Sequence, residues 1–124
     1  LTGSRSVLGL GEPKALGLVF EDIHSAHLRY WHDAPIAARR KELFDVEQGA
    51  WLDAFGTRLA GMTLGDCADG ALYQPPGSGS VDFPLLAGYR QRTGKATRLV
   101  VELDPAVDPR ELAGVHAFLT KWGL

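Results

Sequence analysis

Residues 81–103 decide the reading of the fold: Val81-Asp82-Phe83-Pro84-Leu85-Leu86-Ala87-Gly88-Tyr89-Arg90-Gln91, then Arg92-Thr93-Gly94-Lys95, then Ala96-Thr97-Arg98-Leu99-Val100-Val101-Glu102-Leu103. From Thr97 onward the residues alternate as in a strand, with Leu99, Val101 and Leu103 on one face and Arg98, Val100 and Glu102 on the other. Val81 to Gln91 reads as a partner strand, and Pro84, which has no N–H to give a ladder, suits an edge or a bulge. The glycine-bearing segment Arg92 to Lys95 then turns one strand into the other as a hairpin. In that register Tyr89 lies opposite Arg98, within reach of a cation–π contact.

Downstream, Asp108-Pro109-Arg110-Glu111 supplies an N-cap acceptor, a proline at the first helical position and an acidic first turn. Leu112, Val115, Leu119 and Trp122 follow at helical spacing, and Gly123 closes a helix expected over about 109–122. Upstream, Pro75-Pro76-Gly77-Ser78-Gly79-Ser80 is a loop, Ala71 to Tyr73 a short strand, and Gly61 to Gly70 irregular. Asp33-Ala34-Pro35 signals a helix start. Apolar residues from Ile36 to Leu59 then suggest two helices, or one kinked near Gly49, with a strand over Glu42 to Gln48 as an alternative. Leu16 to Phe20 and Ala26 to Trp31 read as a hairpin around His24-Ser25. The order strands, helices, strands, helix predicts an α+β fold. Its antiparallel sheet would have about four to five strands, packed on one side by the central helical segment and the C-terminal helix.

The 124 residues fit one domain, expected over 14–124 with residues 1–13 as a linker. An apolar share of 45% is enough for a core and argues against disorder. The net charge of −2 provides no global field for nucleic acid or anionic membrane, so nucleic-acid binding is not expected. Cys67 is the only cysteine, which excludes an intrachain disulfide and suits a reducing, cytoplasmic setting. No apolar run reaches the ~20 residues of a membrane helix, and the first residues lack both a signal-peptide pattern and a starting Met. The excess of Arg over Lys, with abundant Ala and Gly, suggests a GC-rich bacterial source.

Candidate chemistry is sparse. Asp22, His24, His27 and His32 form the densest polar cluster, and imidazole with carboxylate is a common metal or acid–base set. The spacing H-x2-H-x4-H matches no ligand motif, and on a strand His24 and His27 face opposite sides. A solvated hairpin connection is the plainer reading, so neither metal nor cofactor is expected. Cys67 lies between Asp66 and Asp69, whose charges oppose thiolate formation, so it is expected to be structural. Gly9-Leu10-Gly11 lacks the third glycine of a dinucleotide loop, and Gly88 to Lys95 has the wrong spacing for a P-loop. Ser78 and Ser80 fit no nucleophile elbow.

Arg90, Arg92, Lys95 and Arg98 cluster around the expected hairpin as an anion-binding or partner-docking tip. Tyr30 and Trp31, adjacent on a strand, point to opposite faces, so one enters the core and the other is a candidate partner contact. Trp51 and Trp122 fall on apolar helical stripes and are expected in the core. The expectation is therefore a small, non-catalytic bacterial binding or regulatory domain acting through a protein partner, such as an adaptor or immunity-type inhibitor. The alternative is a small enzyme or ligand-binding protein using the Asp22, His24, His27 and His32 region.

Overall fold

The computed structural model describes residues 12–93 and 97–124. Most of the segment expected as a linker lies outside the described residues, and Pro13 already opens the first helix. The element order is α1 (Pro13–Asp22), β1 (Tyr30–Asp33), α2 (Ala34–Phe44), α3 (Ala50–Phe55), β2 (Leu59–Leu64), β3 (Asp66–Ala68), β4 (Ala71–Gln74), α4 (Phe83–Thr93), β5 (Arg98–Val101) and α5 (Leu112–Lys121). The fold is α+β, but there is no single antiparallel sheet. A three-stranded parallel sheet in the order β1-β2-β5 stands beside a two-stranded antiparallel sheet, β3-β4.

The correction traces to residues 81–93, which form helix α4 in place of a hairpin strand. Asp82 accepts the Leu85 N–H at 3.0 Å, so it caps the helix, and Pro84 sits in the first turn, where its missing N–H costs nothing. Phe83, Leu86 and Tyr89 recur every third residue and share the buried face. With the β3-β4 hairpin and α4 between them, β2 and β5 are joined by a crossover long enough for the parallel pairing observed. The expected Tyr89–Arg98 contact is replaced by Arg92, whose guanidinium stacks 4.1 Å from the Tyr89 ring centroid one turn along the helix.

The N-terminal hairpin is corrected in the same way. Leu16, Val19 and Phe20 have helical spacing and lie in α1, with Phe20 buried. The middle resolves into two helices. Asp33 caps α2 through the Ile36 N–H at 3.1 Å, and α2 ends at Asp45 in a left-handed turn (φ 56°), so no strand forms over 42–48. The stretch Gly61 to Gly70 is not irregular but carries most of β2 and all of β3. In the C-terminal helix the first turn is 3-10 and Asp108 caps it as expected. Val115 and Leu119 are buried, whereas Trp122 is exposed, which corrects its expected place in the core.

All five described helices contribute to one core: Phe20, Ala37 and Ala38, Trp51 and Leu52, Leu86, and Val115 pack with Tyr30, Met62 and Leu64. Cross-strand pairing sets His32, Met62 and Leu99 in one row facing these helices. The rows Trp31–Gly61–Arg98 and Asp33–Thr63–Val100 therefore point to the opposite face. No described helix covers that face. Trp31 partly screens it, lying flat on Gly61, where a Cβ would come within 2.5 Å of the indole, and donating its Nε1–H to Thr63 Oγ1 at 2.9 Å.

The loop after β4 is fastened by Asp66, which has no exposed surface. Its carboxylate accepts the backbone N–H groups of Cys67 (2.9 Å), Val81 (2.9 Å) and Gly77 (2.8 Å). Gly79 passes so close to β3 that a Cβ there would stand 2.0 Å from the Cys67 carbonyl oxygen. The proline-glycine loop is thereby held against β3.

Candidate functional site at the carboxyl end of the parallel sheet

In parallel α/β sheets ligands collect beyond the carboxyl ends of the strands, where the connecting loops converge and helices begin. In this chain the three carboxyl ends are Asp33, the turn at Gly65, and Val101-Glu102. Gly65 is the point of closest approach: a Cβ there would meet the Glu102 carbonyl oxygen at 2.8 Å, Pro35 at 3.3 Å and the Tyr73 backbone at 3.5 Å. Across it, the Tyr73 hydroxyl donates to Asp33 Oδ2 at 2.9 Å, while Asp33 Oδ1 caps α2.

Tyr73 holds this position from a left-handed backbone, φ 59°. A bulky aromatic residue there is a steric outlier costing about 1–3 kcal/mol, the kind of strain that gathers at working sites. Its carbonyl accepts the Asp104 N–H at 2.8 Å, and the Glu102 N–H donates to Leu64 at 3.0 Å, so hairpin, β2 and the end of β5 are tied together. Burial holds the Asp33 carboxyl above its ordinary range, and the Glu102 charge adds to this against the bonds from Ile36 and Tyr73. The Tyr73 hydroxyl is likewise pushed up, by burial and by Asp33. The result is a half-buried carboxyl–phenol pair next to a second carboxylate, able to exchange a proton or to accept hydrogen bonds.

The residues singled out from sequence are dispersed. His24 and His27 are exposed in the loop at the amino end of β1, and Asp22 ends α1. His32 is buried on the helix-facing side of β1, its Nδ1 2.9 Å from the Tyr30 hydroxyl. Among the described residues no group of three or more His, Cys, Asp or Glu side chains is arranged to hold a metal ion. Trp31 is 41% exposed on the uncovered face, two positions before Asp33, whereas Tyr30 is in the core. Arg90 and Arg92 lie in the last turn of α4, Arg98 is exposed on β5, and Lys95 lies outside the described residues. Arg90 borders a surface groove with Pro84, Gly88 and the exposed Trp122.

Cys67 borders another groove, with Arg39, Glu42 and Ser80. Its sulfur lies 3.8 Å from Glu42 Oε2, which also accepts from Arg39, while Glu42 Oε1 accepts from the Ser80 hydroxyl. Burial and that carboxylate push the thiol up, away from nucleophilic use. Among the described residues no helix is long and apolar enough to cross a membrane.

The parts of the rim site carry no joint signal in the sequence until the strands are parallel. Asp33 reads there as a helix start and the end of the histidine cluster, and Glu102 as a polar strand residue. No protein-family model matches this chain, and no curated protein is similar to it at a significant level.

Proposed function

We propose that this domain binds a small ligand at the carboxyl end of its parallel sheet, through Asp33, Tyr73 and Glu102. The observation that carries the reading is the Asp33–Tyr73 hydrogen bond made by an aromatic residue in left-handed conformation, at the rim where parallel sheets take their ligands. Both carboxylates accept hydrogen bonds, so the ligand presents hydroxyl or ammonium donors. The raised Asp33 carboxyl beside a phenol also suits proton transfer to a bound ligand.

The test is a titration of ¹⁵N-labelled protein with a panel of small polyols and amines. Shifts should concentrate at Asp33, Gly65, Tyr73 and Glu102. Asp33→Asn should weaken binding at least about tenfold, the loss of one charge-assisted hydrogen bond. Tyr73→Phe should weaken it less while leaving Asp33 in place. If the panel perturbs nothing, or perturbs only other surfaces, the rim is not the site.

A second reading keeps the protein partner, and it is favoured by the groove where Arg90 meets exposed Trp122, both residue types that anchor interfaces. In a pull-down, Arg90→Ala with Trp122→Ala should abolish capture of a partner that the wild-type chain retains. Unchanged capture removes the groove from consideration.

A further inference from the structure

Beside β1, between α1 and α2, lies a groove of about 300 Å³. Leu16, Val19 and Phe20 wall it from α1, Leu28 and Trp31 from the β1 segment, and Ile36 from α2. Apolar walls with a few placed polar groups are the usual makeup of a small-ligand site, and this volume is at the lower end of their range. Among the described residues lining it, three side chains are charged: Asp33, Arg29 and Arg40.

Chain direction sorts these charges. Arg29 stands at the amino end of β1 and Asp33 at its carboxyl end. Arg29 is pinned there to the carbonyls of Leu59 (2.6 Å) and Arg58 (3.3 Å), where β2 begins, and this uses two of its five N–H groups. Helix α2 starts directly after Asp33 and opens the crossover that returns the chain to the start of β2, so Arg40 lies toward the Arg29 end. Asp33, Ile36, Ala37 and Arg40 recur three or four residues apart and give the groove one stripe of that helix. The seven residues from Asp33 to Arg40 advance about 10 Å along it. The groove therefore has an anionic end and a cationic end, with apolar walls between them.

We propose that Asp33 and this groove together bind a linear zwitterion, its ammonium at Asp33 and its carboxylate at Arg29 and Arg40, joined by an apolar spacer of about seven methylenes to match that length. The proposal rests on Asp33 as a ligand contact, as argued for the rim, and gives the ligand's chemical class. Among the described residues both donors to Asp33 are neutral, the Ile36 N–H and the Tyr73 hydroxyl, so an ammonium adds a charge-assisted bond. At the other end a carboxylate meets guanidinium forks that fit its geometry. A plain amine would place hydrocarbon against the two guanidiniums, and a plain carboxylate would place it against Asp33. A ligand charged at both ends satisfies both.

The test titrates the full ¹⁵N-labelled chain with ω-aminooctanoate, octylamine, octanoate and β-alanine. The first should shift the amides of Leu28, Arg29, Trp31 and Ile36 together with Asp33. It should bind at least about tenfold tighter than octylamine or octanoate, each of which lacks one charge-assisted end. β-Alanine carries both charges on a spacer too short to span the groove, and should bind at least about a hundredfold more weakly. Arg29→Gln, at an exposed position, should bring ω-aminooctanoate down to the affinity of octylamine without weakening octylamine itself. Asp33→Asn should bring it down to the affinity of octanoate. Equal affinity for ω-aminooctanoate and octylamine, equal affinity for β-alanine, or no shifts in the groove would each overturn the proposal. Groove shifts with none at Tyr73 and Glu102 would uphold the groove and remove the rim. Small amines that shift Asp33 and Tyr73, with no gain from the longer zwitterion, would uphold the rim and remove the groove.

Discussion

Replacing Asp66 with Ala should unfold the loop after β4 and lower global stability by about 3–5 kcal/mol, measured by urea denaturation. The side chain is fully buried and accepts three backbone N–H groups, two of them from residues more than ten positions away. A hydrogen bond to a charged acceptor contributes about 1.5–3 kcal/mol, and orphaning the buried donors adds their own desolvation penalty. The three are not additive, since one carboxylate serves all of them. Asn in the same place keeps one oxygen acceptor but turns an NH₂ toward an N–H, so Asp66→Asn should fall between wild type and Ala. Wild-type stability in both variants would mean that the loop is held by its own turns and by Gly79 packing.

The second large effect is on acid stability. His32 is buried against the helices, and burial lowers its pKa to about 4 from an ordinary 6.5. Its Nδ1 lies 2.9 Å from the Tyr30 hydroxyl, which burial keeps protonated, and burial likewise keeps the native imidazole neutral. Between pH 6.5 and 4 the unfolded chain binds a proton at this position that the folded chain does not. The contribution is therefore complete above 6.5, is lost as pH falls toward 4, and changes no further below it. A shift of this size corresponds to about 3 kcal/mol. His32→Asn keeps a hydrogen-bonding amide near the Nδ1 position without titrating. Its denaturation free energy should be flatter than the wild type's by about that amount across the window. Parallel curves for the two proteins would exclude His32 as the acid-sensitive group.

Local chemistry was legible wherever a short stretch of chain decides it. The cap at Asp108, the start of α2 at Asp33 and the existence of a strand around Leu99 follow from neighbours within four residues, although β5 ends at Val101, two residues before the expected Leu103. What failed was the sense of the sheet, and one element caused it. Pro84 serves a helix's first turn as well as a strand's edge, and Phe83, Leu86 and Tyr89 show helical spacing only once Asp82 is known to cap. With α4 taken for a strand, the crossover vanished and the sheet became antiparallel.

The rim followed from that error. Asp33, Tyr73 and Glu102 are 29 or more positions apart in sequence, and only a parallel arrangement brings their strands' ends together. The left-handed backbone of Tyr73 has no signature at all, since tyrosine is the last residue expected there. The histidine cluster had the opposite fault. Its members are near in sequence, yet strand alternation and a loop send them to different surroundings.

Trp31 has a consequence for how the molecule can be watched. Its indole is clamped by Thr63 on one side and laid across Gly61, yet 41% of it remains open to solvent. Trp51, by contrast, is in the core. Emission from Trp31 therefore carries a solvent-sensitive colour that Trp51 lacks, and the ring sits two residues from the rim. In a Trp122→Phe variant, which removes the other exposed indole, a change in intensity on adding a rim ligand would register Asp33 being engaged.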